Sequence, residues 1–123
     1  MKLALLSDIH ANIHALDACL AHAQAGGAQQ LAFLGDLVGY GAHPVAVMQR
    51  IMALTAQGAL VLKGNHDDLA ARPPHEVKTI GDSTAQWTHD QLDERQRDFL
   101  LALPMTLQLD KVFLVHASAD APE

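Results

Sequence analysis

Three short apolar runs, each closed by a small cluster of Asp, His or Asn, constrain this chain more than any other feature. They are Leu3-Ala4-Leu5-Leu6, Leu31-Ala32-Phe33-Leu34 and Ala59-Leu60-Val61-Leu62. Each is continuous rather than alternating, the pattern of a strand in a parallel sheet buried on both faces. Between the first two lies Asn12–Ala25, where Ile13, Leu16, Leu20 and Ala23 share one helical face. Asn12 suits the N-cap of that helix and Gly26-Gly27 its stop. Pro44–Gln57 repeats the plan, with Pro44 in the first turn, Val47, Ile51 and Leu54 facing inward and Gly58 ending it. The order βαβαβ predicts a layered α/β fold with right-handed crossovers.

The middle stretch departs from that rhythm. Arg72-Pro73-Pro74-His75 reads as a loop and Ser83–Asp90 as a short helix. Asp93–Leu101 reads as a surface helix, capped by Asp93 with Gln96 three positions on and closed by Pro104. A fourth apolar run, Val112–Val115, has the character of the first three and is expected to pair with Thr106–Leu109 through a turn at Asp110-Lys111. At 123 residues the chain has room for one domain, 1–123.

Charge and cysteine content narrow the function classes. Eight Lys and Arg against fourteen Asp and Glu give a net charge of −6, and the basic residues are scattered, which disfavours a nucleic-acid surface. No apolar run approaches the ~20 residues of a membrane span. The N-terminal apolar stretch stops at Ser7-Asp8, too short for a secretory leader. A single cysteine, Cys19, excludes a disulfide framework, so a cytoplasmic protein is expected. Eight histidines in an acidic chain point instead to a metal site built from oxygen and nitrogen ligands.

The strand ends supply such ligands. The first run leads into Asp8-Ile9-His10, the second into Gly35-Asp36, the third into Gly64-Asn65-His66-Asp67 and the fourth into His116. The carboxyl ends of parallel strands form the ligand crevice of open α/β sheets. Asp8 and His10, two apart on an extended segment, would leave the same face and grip one cation. Asp36 has two oxygens with which to bridge two cations, while Asn65 and His116 offer oxygen and nitrogen to the second. Such a set fits Mn, Fe, Ni, Zn or Mg, and affinity order does not choose among them.

Asp8-Ile9-His10, Gly35-Asp36-Leu37-Val38-Gly39-Tyr40-Gly41, Gly64-Asn65-His66-Asp67 and Val115-His116 resemble, in order, the signatures of the calcineurin-like metallophosphoesterases. The likeness is strongest to the small bacterial phosphodiesterase-like branch and runs from Met1 to about Ser118. It implies the N-terminal part of an α/β/β/α sandwich, and two divalent metal ions that activate a water for attack on a phosphate ester. By that resemblance Asp8 and His10 hold one metal, Asp36 bridges, and Asn65 and His116 hold the other. His66 faces the phosphate and protonates the leaving oxygen, while Asp67 orients His66 or its loop. Asn12 either only caps its helix or also meets a phosphate oxygen. The implied partner is a phosphate-ester small molecule or nucleotide-like substrate.

Two departures qualify the resemblance. Ala117 follows His116 where relatives commonly carry glycine, and the family's final Gly-His-x-His is absent. The chain is therefore expected to be incomplete at its C-terminus. The alternative to an enzyme is a non-catalytic metal-binding fragment or interaction domain, with an uncovered sheet that favours homo-oligomers. Elsewhere, His14, His22, His43, His75 and His89 read as solvated surface. Cys19 reads as a small buried hydrophobe and Trp87 as a core anchor under the Asp93–Leu101 helix. Tyr40 either lines the pocket rim or packs its own loop, and Glu76, Asp82, Asp90, Asp93 and Glu94 form a solvated acidic face.

Overall fold

In a computed structural model, which describes residues 1–120, the first three runs form strands β1 (Leu3–Leu6), β2 (Gln30–Phe33) and β3 (Leu60–Val61). They pair in parallel in the order β1-β2-β3, with Leu3 opposite Gln30, Leu5 opposite Ala32, and Ala32 opposite Leu60. The crossovers are helices α1 (Ile13–Ala25) and α2 (Pro44–Ala56). Asn12 caps α1, its Oδ1 accepting from Ala15 N at 3.0 Å, and Gly26 ends it. Pro44 sits in the first turn of α2, where its missing N–H has no helical partner to lose.

The sheet's two faces differ. Alternation along the strands turns Leu6, Phe33 and Val61 toward one side, where they join Leu16, Val47, Met48 and Ile51 of the crossover helices in the main core. Leu3, Leu5, Ala32 and Leu60 face the other side. There a hairpin of β4 (Thr106–Leu109) and β5 (Val112–Val115) supplies Leu107 and Leu114 to a smaller cluster with Ala32 and Leu62. This hairpin is antiparallel and forms a sheet of its own, turning at Asp110 with φ 52°. The expectation of strands buried on both faces therefore fails for β1, whose Leu5 is 52% exposed, and for β5, whose Phe113 is 50% exposed.

Three helices fill the space between β3 and β4: α3 (Asn65–Ala71), α4 (Ile80–Gln91) and α5 (Glu94–Ala102). Helix α3 starts where the sequence suggested only a loop, because Asp68-Leu69-Ala70-Ala71 continues the turn begun at Asn65 until Pro73-Pro74 stops it. Helix α4 is longer than expected, starting at a Thr79 cap whose Oγ1 accepts from Asp82 N. Asp93 caps α5 and Gln96 reciprocates, the box read from sequence. Lys63, largely buried, donates to Leu101 O at 3.1 Å and lies 3.6 Å from Asp68, fastening α3 to α5. Trp87 is 45% exposed rather than a core anchor, Leu92 and Leu100 filling that place. Cys19 is likewise exposed, because it lies off the Leu16 face of α1.

Candidate metal centre

All four expected ligand loops meet at the carboxyl ends of the strands, but not by the route the spacing suggested. After Leu6 the backbone leaves the extended conformation: Asp8, His10 and Ala11 all adopt left-handed φ values, of 57°, 48° and 55°. Asp36 does the same at 55°. For non-glycine residues this region is sparsely populated, and Asp tolerates it better than most. Backbone bonds impose it: Asp8 N donates to Gly35 O, His10 N to Asp36 O and Ala11 N to Leu37 O, at 2.8–3.1 Å. Asp8 and His10 converge because the chain coils, bringing Asp8 Oδ1 within 3.4 Å of His10 Nε2.

Asp36 lies at the centre and is almost fully buried. Its Oδ1 accepts from His66 N at 3.0 Å. Its Oδ2 faces two imidazoles, His10 Nε2 at 3.6 Å and His116 Nε2 at 3.3 Å. The other nitrogen of each ring points at a backbone carbonyl, His10 Nδ1 at Val38 O (3.3 Å) and His116 Nδ1 at Leu34 O (2.7 Å). A carbonyl only accepts, so each Nδ1 donates in its contact, and the Nε2 atoms are left turned toward the Asp36 carboxylate. In the neutral form of the rings those Nε2 atoms offer lone pairs, and a cation placed between them and Asp36 Oδ2 would be ligated by all three. Asn65 Oδ1 lies 3.1 Å from His116 Nε2 and joins the same group. Ligand atoms of Asp8, Asp36 and His116 fall within 4.8 Å of one another. A hydrogen bond from Ser7 and the nearby imidazoles hold the Asp8 carboxyl below its usual range. The donor set thus fits a divalent metal.

Asp67 is the residue whose place was least foreseeable. It is fully buried, and its oxygens accept four backbone N–H groups: those of Asp36 and Gly64 on Oδ2, and those of Leu37 and Val38 on Oδ1. One side chain therefore clamps the Asp36 loop to the start of α3. Burial pushes its carboxyl up to about 7 against the pull of those amides, and the charge of Asp36 adds to the rise. The clamp needs close backbone approach. A Cβ on Gly35 would lie 2.5 Å from Gly64 N, and one on Gly64 would run into Asp36.

His66, the second residue of α3, stands beside the cluster with its ring 5.2 Å from that of His10 and 4.6 Å from that of Tyr40. Its Nδ1 is buried with no hydrogen-bond partner among the described residues. Tyr40 lies at the rim, 53% exposed and 5.3 Å from the His10 ring. His14, His22, His43 and His75 are exposed as expected, whereas His89 is half-buried and bonds Ala70 O through Nδ1 at 2.8 Å. That contact spans α3 and α4, and no short-range spacing announces it.

Comparison with known proteins agrees with this geometry. The sequence model of the family described as calcineurin-like phosphoesterase matches residues 1–120. An uncharacterized protein of Methanocaldococcus jannaschii is 32% identical over 98% of this chain and 51% of its own length. A symmetrical bis(5'-nucleosyl)-tetraphosphatase of a Janthinobacterium species is 36% identical over 72% of this chain and 32% of its own. The crystal structure of a metallophosphoesterase from Sphaerobacter thermophilus superposes with a TM-score of 0.82 at 29% identity, covering 99% of this chain and 49% of that one. The chain spans about half the length of the first of these relatives and of that structure. With the ordered strand-end motifs gathered around Asp36 and a family match over almost its whole length, the chain belongs to the calcineurin-like phosphoesterases.

Proposed function

We propose that this chain hydrolyses phosphate esters, as a phosphodiesterase or phosphatase, at a site for two divalent metal ions that share Asp36. Asp8, His10 and Asp36 would hold one ion, and Asp36, Asn65 and His116 the other. The observation that carries this reading is the pair of Nε2 atoms facing Asp36 Oδ2 from opposite strand ends, each with its Nδ1 committed to a carbonyl. Bound there, such ions would polarise the phosphoryl oxygens and lower the pKa of a water. His66, beside His10 but with no bond to Asp36 from its ring, would give a proton to the leaving oxygen. Asp67 acts as a positioning residue through the backbone of the Asp36 loop. Asn12, its Oδ1 spent on the cap, keeps an amide N–H for a phosphate oxygen.

Metal content and turnover of bis(p-nitrophenyl) phosphate test this together. Asp36→Asn is expected to lose bound metal, whereas His66→Ala is expected to keep it and lose at least ~10²-fold in kcat. Undiminished turnover in the His66 variant would sink its role. A second reading is a metal-binding domain without turnover, for which the Asp8, Asp36 and His116 cluster would suffice. It predicts one metal or none, and no hydrolysis.

A further inference from the structure

A cavity of about 590 Å³ opens from the metal-site residues Asp8 and His10 and runs past Asn12 to His14 and His43, with Tyr40 on its wall. His14 and His43 belong to different elements, the first turn of α1 and the residue before α2, yet their rings meet edge to face at 5.3 Å. The contact is held from below: His43 N donates to Ala11 O at 2.8 Å, and the loop carrying Gly41 lies directly on the His10 backbone. Both side chains are exposed, neither hydrogen-bonds a described residue, and His43 does not use its ring to cap α2.

The lining has one sign of chemistry. Beyond Asp8, whose carboxylate belongs to the metal centre, the polar side chains are Asn12, His14, His43 and the Tyr40 hydroxyl, each able to donate a hydrogen bond. No Lys or Arg lines the cavity, so an anion entering it must be met by these donors. We propose that the cavity is a subsite for a second phosphoryl group, bound by His14, His43 and Asn12, while the first sits at the metal centre. The preferred substrate is then one with two or more linked phosphates rather than an isolated phosphate ester. This rests on the hydrolytic site proposed above.

Calorimetric titration of the metal-loaded chain with inorganic pyrophosphate and inorganic phosphate tests it, with metal content measured after each titration. Wild type is expected to bind pyrophosphate at least about tenfold more tightly than phosphate, in line with charge-assisted bonds to the second group. The double variant His14→Ala/His43→Ala should lose that preference, its phosphate affinity staying within about twofold. Both rings are exposed, so unchanged metal content and thermal melting serve as the folding control. Equal losses for both anions, or no loss for either, overturn the subsite. So does a variant that loses affinity for adenosine while keeping pyrophosphate, since the cavity would then hold a base. A chain that shows the pyrophosphate preference but turns over neither bis(p-nitrophenyl) phosphate nor p-nitrophenyl phosphate keeps the subsite and refutes hydrolysis. Turnover without the preference does the reverse.

Discussion

The two sides of the candidate metal centre are held in very different ways. Asp36 sits in a loop clamped by three bonds to buried Asp67, which takes a fourth from Gly64, and backed by Phe33, Leu37 and Val38, none of which is exposed. His116 arrives from a two-stranded hairpin whose outer residues Val112 and Phe113 stand largely in solvent. It is fastened by its ring, through Nδ1 to Leu34 O and Nε2 to Asn65 Oδ1, and by Leu114 seated on Ala32 and Leu62. A candidate metal pocket that joins a stiff half to a lightly anchored one would bind a cation with fixed geometry on one side and adjust on the other.

Breaking the stiff half should have the largest effect. Asp67→Ala strands four buried N–H groups, and a loss on the order of 4 kcal/mol is expected in urea denaturation. Asp67→Asn, which keeps one accepting oxygen, should fall between that and wild type. The hairpin side should yield less. Leu114→Ala removes its main contact with the sheet, for about 2–3 kcal/mol, and should weaken metal binding as well because His116 goes with the hairpin. Metal affinity unchanged in that variant would mean that the bonds of its ring alone place His116.

A smaller effect tracks pH. The folded-state pKa of Asp67, about 7, lies above the ordinary 3.8, so the folded chain retains a proton that the unfolded chain releases within that window. Stability contributed by this group is present at low pH and declines as pH rises toward 7. In metal-stripped protein, wild type is expected to melt a few degrees lower at pH 7 than at pH 5.5, a slope that Asp67→Asn should flatten. A flat profile over this range would show that the four amides keep the carboxylate ionised. The smallest change belongs to the open part of the sheet: Leu5→Ala, at a side chain half in solvent, should stay within about 0.5 kcal/mol.

Much of this arrangement is legible in the chain. Continuous apolar runs locate all three parallel strands to within a residue or two, and Asn12, Pro44 and Asp93 mark helix starts because capping is a local matter. The residues gathered at the candidate site are legible for another reason: Asp, His and Asn recur where strands end. What stays hidden depends on distant contacts. An apolar run does not say which face is covered, so Leu5 and Phe113 look as buried as Phe33. Asp67 looks like any acidic residue near a helix start, and only the fold brings Asp36, Leu37 and Val38, some thirty positions away, to its oxygens. The left-handed turn at Asp8 and His10 has no glycine to announce it.

That turn has a practical consequence. Asp8 and Asp36 occupy backbone conformations that Asn adopts nearly as readily as Asp, and that alanine adopts only at added strain of about 1 kcal/mol or more. Alanine at either position would confuse loss of chemistry with a distorted loop. Asparagine separates the two, which makes Asp8→Asn and Asp36→Asn the variants suited to testing metal binding on an otherwise intact scaffold.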